Sequence, residues 1–287
     1  MTRKSSSNFV LHAKSDQFYW EGIGQLSIKT FSNGNAYYKT SKGFFAVEES
    51  RYLLLNEGAY TISIEEKKEV ESFCVFFKEG FAAEVAKSLI ESNDKLLSDP
   101  FKVTSSIGFF EKTYPTSDTL SSQIKTFKQN LSALQHDPNG YEEQFYKLMQ
   151  TILIEHTNTW KEVESLSAIR HSTREELYRR VSIANDYIRC YYDKPIKLDE
   201  IAQIAFLSTN HLLRTYSQIY GKTPHQHISE LRIQKAKKLL SNLEDNMTEI
   251  TFKLGFQNPV SFSKMFKQYV GISPLEYRKK VILDKKS

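Results

Sequence analysis

Residues 198–280 carry one pattern written twice, about fifty positions apart, and no other feature of the chain restricts its fold as much. The first copy, from Ile201, reads IAQIAFLSTNHLLRTYSQIYGKTPHQHI, and the second, from Ile250, reads ITFKLGFQNPVSFSKMFKQYVGISPLEYR. Ile201 matches Ile250 and Ala205 matches Leu254 at an offset of 49. Leu212 and Phe262, Arg214 and Lys264, Tyr216 and Phe266, Gly221 and Gly271, and Pro224 and Pro274 then match at an offset of 50. The extra residue falls between Leu207 and Asn258. Insertions settle in turns rather than inside helices, so the repeat reads as helix, turn, helix in duplicate.

A helix-turn-helix needs one supporting helix and a second whose N-terminal residues face base edges in the major groove. In the first copy Leu198 to Ala205 supports, and Ser208 is an N-cap whose hydroxyl accepts a free backbone N–H. Leu212, Tyr216 and Ile219 then face inward, leaving Thr209, Asn210, Leu213 and Arg214 outward. In the second copy Asn258 is the N-cap and Pro259 holds the first helical position, where a missing N–H is harmless. Phe262, Phe266 and Tyr269 face inward there, and Val260, Ser263, Lys264 and Lys267 face out. Arginine forks onto guanine and asparagine onto adenine, so Asn210 and Arg214 are the expected base readers. Val260 suits a thymine methyl, and the two lysines suit base or phosphate. The first unit is expected to specify and the second to position. A plain helical scaffold is the alternative, but it would need caps, glycines and prolines to coincide twice.

Between the copies, PHQHISELRIQKAKKLLSN has a stripe of Ile228, Leu231, Lys235 and Leu239, with Ala236 and Leu240 alongside, and this predicts a rigid linker helix. Upstream, Leu177, Val181, Ala184, Ile188 and Tyr191 share a helix face that ends at Lys194-Pro195. Residues 174–287 hold 20 Lys/Arg against 12 Asp/Glu, while residues 1–173 hold 19 against 22. A basic C-terminal part beside a slightly acidic N-terminal part fits a nucleic-acid-binding domain next to one with another task.

The first 80 residues read as strands. Ser32-Asn33-Gly34 is a hairpin signal; Phe44–Val47, Tyr52–Leu55, Tyr60–Ile64 and the run at 72–78 follow, with a turn at Asn56-Glu57-Gly58. Six or so short strands predict an antiparallel sandwich or small barrel, which either holds a ligand or fills itself with side chains. From residue 81 the chain turns helical, with a first helix expected to end before Asp99-Pro100. Leu120, Ile124, Phe127, Leu131 and Leu134 form a stripe over two heptads. HDPNG breaks it, and a second helix carries Phe145, Leu148, Ile152, Thr159, Val163 and Leu166. This hairpin is expected to pack on its own barrel, to mate with a second subunit, or both. The fold class is therefore α+β: a barrel or sandwich over residues 8–115, a helical hairpin over 116–172, and an all-α domain over 174–281. That domain holds helix-turn-helix units at 198–219 and 247–269 joined by a linker helix at 224–241.

At LDEIAQIAFLSTNHLLRTYSQIYGKTPHQHISELRIQKAKKLL and GFQNPVSFSKMFKQYVGISPLEYR the chain resembles the AraC/XylS family of bacterial transcription regulators, over roughly residues 175–280. The resemblance implies two units entering successive major-groove segments, with base contacts at Asn210, Leu213 and Arg214, then at Pro259, Val260, Ser263 and Lys264. Thr251 stands where alanine is usual, and Val260-Ser261 where Ser-Tyr is common. RYLLLNEGAYTISI resembles the family's cupin-like effector domain. The implied partners are double-stranded DNA, a second copy of the chain, RNA polymerase and a small-molecule effector.

Other classes find little support. His12 is the one histidine of the strand-rich region, too few for a metal site built from several ligands; no metal, cofactor or catalytic residue is expected. His225 and His227 are two apart on a helix and point to different faces. No phosphate-cradling loop or nucleophile elbow occurs, and Cys74 reads as a core residue. Two cysteines, no apolar run of about 18 residues and no secretory leader predict a cytoplasmic protein without membrane contact. Two further readings stay open: a regulator controlled by abundance or a protein partner, and an architectural DNA binder whose N-terminal domain only dimerises.

Overall fold

The computed structural model describes residues 7–90, 107–134, 136–168, 170–242 and 245–284. The expected helix end near Asp99-Pro100 lies outside them. The chain divides into two compact units, residues 1–174 and 175–287.

The first unit is a nearly closed antiparallel barrel backed by helices. Its strands are β1 (Phe9–Gly24), β2 (Ser27–Ser32), β3 (Ala36–Thr40), β4 (Gly43–Val47), β5 (Arg51–Leu55), β6 (Gly58–Phe76) and β7 (Lys112–Pro115). They are ordered β4-β3-β6-β2-β5-β7, and β1 pairs with β6. Two strands are much longer than the short runs expected. The apolar runs at 60–64 and 72–78 are joined through the charged segment Glu65–Glu71 into β6, which pairs with β1 from Phe9↔Phe76 to Gly24↔Gly58. The Asn33-Gly34 turn does not make a hairpin. β2 pairs with residues 71–76 of β6 and β3 with residues 60–63 of it, so the turn, with Asn33 at φ 66°, hands the chain from one stretch of β6 to the other. The true two-residue hairpin is β3–β4, closed at Thr40↔Gly43.

Side chains alternate across a strand, and here the two faces feed two cores. Tyr52, Leu54, Phe73, Val75 and Ile28 face the helices; Leu53, Leu55, Cys74, Phe76 and Phe31 face the barrel interior. Against the outer face lie α1 (Phe81–Ile90), α2 (Asp118–Leu134) and α3 (Pro138–Glu164). Asp137 caps α3, accepting from the Gly140 N–H at 3.0 Å. Leu120 and Phe127 are buried in the barrel's own outer core, with Ile124, Leu131 and Leu134 packed against it. The 120–134 stripe is therefore used within the unit. On α3, His156 joins the buried face beside Phe109, Phe110 and Trp160. Inside the barrel is a cavity of about 700 Å³.

The second unit is helical: the C-terminal part of α4 (His171–Tyr191), then α5 (Leu198–Ile204), α6 (Thr209–Tyr220), α7 (Pro224–Ser241), α8 (Met247–Lys253), α9 (Pro259–Val270) and α10 (Pro274–Asp284). The buried face of α4 runs through Tyr178, Val181, Ala184 and Ile188, and Leu177, expected there, is half-exposed. Shifting by one residue lets the larger aromatic side chain take the core position.

Candidate nucleic-acid interface

The second helices of the two repeats, α6 and α9, start and end alike because their sequences punctuate them alike. Ser208 accepts from the His211 N–H at 3.3 Å, and Asn258 accepts from the Ser261 N–H at 2.8 Å. Both helices stop at a left-handed glycine, Gly221 at φ 66° and Gly271 at φ 86°, the backbone state that glycine adopts without steric cost. Each following helix opens on a proline, Pro224 or Pro274. The supporting helices α5 and α8 also end alike. The Leu207 N–H reaches back to the Ala202 carbonyl at 2.9 Å, and the Phe256 N–H to the Thr251 carbonyl at 3.2 Å.

Beneath α6 the core contains polar contacts. The Tyr216 hydroxyl donates to Asn185 Oδ1 at 3.2 Å and stands 2.6 Å from His227 Nδ1, so α4, α6 and α7 meet at one buried phenol. Burial is the first cause that holds the Tyr216 hydroxyl well above its usual range, which keeps it a neutral hydrogen-bonding group. Beneath α9 the core is apolar: Phe262 and Phe266 pack with Ile233, Ala236, Leu240, Ile250 and Leu254. Thr251 is fully buried, and its hydroxyl donates to the Met247 carbonyl at 2.8 Å. The polar atom that replaces the usual alanine is thereby satisfied inside its own helix.

The linker helix α7 belongs to both halves. His227 serves the first core, while Ile233, Ala236 and Leu240 serve the second. Arg232, on the same helix, donates to the carbonyls of Tyr192 at 2.6 Å and Lys194 at 2.9 Å, and its guanidinium lies 5.1 Å from the Phe256 ring centre. One side chain thus ties the loop after α4 to the turn of the second unit.

Of the residues expected to read DNA, Asn210 and Arg214 are exposed on α6, and Thr209 and Leu213 are half-buried beside them. Pro259, Val260, Ser263, Lys264 and Lys267 are exposed on α9, Val260 at 76%. Neither Arg214 nor Lys264 forms an ion pair with any described residue. Tyr269, expected inward, is exposed; Val270 and Met265 pack on the core in its place. An aromatic at that spacing reads as core, but the buried face of α9 steps by four from Phe262 to Phe266 to Val270, which leaves Tyr269 outward.

Two features had no sequence signal. Thr215 is buried against the core side of α6, although a threonine is not counted in an apolar stripe. Phe206, in the first turn, has φ 53° and is 76% exposed, while Gly255 stands at the equivalent step of the second turn. Arg180 Nη1 donates to the Phe206 carbonyl at 2.9 Å and helps fix this backbone.

Residues 201–280 match a family model described as a helix-turn-helix domain. YisR of Bacillus subtilis, an uncharacterized HTH-type transcriptional regulator, is 36% identical over 93 residues, which are 32% of this chain and 32% of that protein. YdeC of the same organism, described in the same words, is 33% identical over 94 residues, 33% of this chain and 32% of that protein. The match thus spans about a third of the length of these relatives. Among solved structures, the C-terminal domain of AraT, a response regulator from Geobacillus stearothermophilus, is similar over 35% of this chain and 84% of that chain, with 28% identity and a TM-score of 0.34.

Proposed function

We propose that the chain, whose residues 201–280 match a helix-turn-helix family model, is an AraC-type, sequence-specific transcription regulator whose DNA affinity is set by a small molecule held in the N-terminal barrel. The observation that carries the DNA reading is the pairing of two equally capped reading helices on one shared linker helix, each with polar or basic side chains free on its outer face. In this reading Asn210 and Arg214 contact base edges, with Thr209 and Leu213 beside them. Pro259, Val260 and Ser263 approach the second groove segment, and Lys264 and Lys267 hold it by charge. The barrel cavity, about 700 Å³ and within the size range of small-molecule sites, supports effector control. A homodimer and contact with RNA polymerase belong to the same proposal.

The test is selection of genomic fragments by the full chain, followed by affinity measurements with and without a metabolite extract. A shared sequence motif among the selected fragments supports site-specific binding. Fragments without a common motif favour the architectural reading, and a motif with no response to any extract favours control by abundance or a protein partner.

A further inference from the structure

The barrel cavity contains one buried cation. Lys29 is on β2, and strand alternation turns it inward with Phe31 while Ile28 faces the helices. It is 1% exposed. Its Nζ donates to the Tyr60 hydroxyl at 3.2 Å and lies 3.5 Å from the centre of the Phe76 ring. No carboxylate among the described residues pairs with it. A buried ammonium without a counter-ion is costly, and an aromatic face with one phenol offsets only part of that cost. Burial pulls the amine down to about 8, which leaves it mostly charged at neutral pH.

The rest of the wall is chiefly apolar, with Phe9, Phe18, Trp20, Ile62, Ile64 and Phe76 among its side chains. The other ionisable groups on it are His12, Tyr38, Glu57, Tyr60 and Cys74. His12 is joined to Glu71 at 2.9 Å. Cys74 sits opposite Lys29 in the β2–β6 register, and burial raises its thiol, so it is neutral and is no counter-ion.

We propose that this cavity takes an apolar molecule bearing a single carboxylate, seated on Lys29 and Tyr60. The inference rests on the effector reading above and names the ligand class for that cavity. An ammonium has three donors and Tyr60 takes one, so the others are available to a carboxylate. The Tyr60 hydroxyl, accepting from Lys29, still has its own proton to donate to the same anion. A polyol would leave hydroxyls unpaired against the apolar wall, and an amine would meet like charge.

Titration calorimetry of the full chain with dodecanoate, dodecan-1-ol and dodecylamine, each at micromolar concentration, varies the head group on a constant tail. Dodecanoate should bind at least about tenfold more tightly than the alcohol, as a charge-assisted hydrogen bond implies, and the amine most weakly. Lys29→Met keeps the bulk of the stem; it should erase the preference and leave alcohol binding within about twofold. Equal binding of acid and alcohol, a preference unchanged in Lys29→Met, or no binding of any of the three overturns the proposal. Affinity for a selected DNA fragment, measured alongside, separates the two ideas. Lys29-dependent dodecanoate binding with unchanged DNA affinity sustains the ligand class and refutes effector control. A DNA response to the alcohol but not to the acid does the reverse.

Discussion

Gly255 and Asp193 approach so closely that a β-carbon on the glycine would stand 2.4 Å from the aspartate's carbonyl oxygen. Arg232 Nη2 would be only 3.1 Å away, and its guanidinium already holds the neighbouring Tyr192 and Lys194 carbonyls. The turn of the second helix-turn-helix is thus seated directly on the loop that leads into the first.

Gly271 provides the control for a substitution there. It also has a positive φ, 86°, but open space around it. Gly271→Ala should cost about 1 kcal/mol of stability, the price of the left-handed backbone alone. Gly255→Ala should cost about 3 kcal/mol, because a main-chain clash adds to the same backbone strain. Urea unfolding of both variants checks the difference, and equal losses would mean that the loop yields.

The two helices proposed to read DNA, α6 and α9, should respond differently to truncation. Arg214→Ala should weaken preference at one base position by about 1–3 kcal/mol, since a lost fork to guanine is felt only where guanine stands. Lys264→Ala should weaken all sequences alike and lower the slope of affinity against salt by about 1. Binding measured on a set of point-substituted fragments at several salt concentrations distinguishes these outcomes. A uniform loss in Arg214→Ala would move that residue to the phosphates.

Phe206 holds a left-handed backbone that glycine holds in the other copy. With the ring 76% exposed, little packing is lost on removing it. Phe206→Gly should therefore leave stability unchanged or raise it by up to about 1 kcal/mol. A larger loss in thermal unfolding would show that the ring packs in solution.

Lys29 gives the barrel a pH signature. Its folded value of about 8 lies below the unfolded value of about 10.4. Below pH 8 the amine is charged in both states and the burial penalty is present in full. Between about pH 8 and 10.4 the unfolded chain still binds a proton that the folded one has released, so stability rises with pH. Lys29→Met should be more stable at pH 7, by roughly 2–3 kcal/mol, and should lack that rise. Denaturant unfolding at pH 7, 9 and 10 checks both points.

The repeat made the C-terminal helices legible, because caps, glycines and prolines act locally and their effect is written beside them. Ser208, Asn258, Gly221 and Gly271 do what their residue types do in any helix. Arg232 was not legible: a basic residue on a linker helix reads as solvated, and its carbonyl partners lie about forty positions upstream. Tyr269 was not legible either, because steps of three and of four from Phe266 are both helical, and the buried face takes the latter at Val270. In the barrel, strand content followed from composition, but pairing did not. The Asn33-Gly34 signal describes a tight turn and says nothing about which strand waits on either side. Lys29 escaped because Ile28 and Phe31 occupy opposite faces of β2, leaving open which face was the interior.

Long β6 also has a consequence in time. Phe9 cannot find Phe76, nor Gly24 its Gly58, until β6 is present, so the barrel is closed by contacts far apart in sequence. Loop closure of that length slows folding, whereas helices whose partners lie within a few tens of residues assemble quickly. On a ribosome the first strand must wait for the sixth, with Phe9, which stacks on Phe76, and Val10 uncovered in the interval. The early chain is then a client for chaperones in a way that the later, faster unit is not.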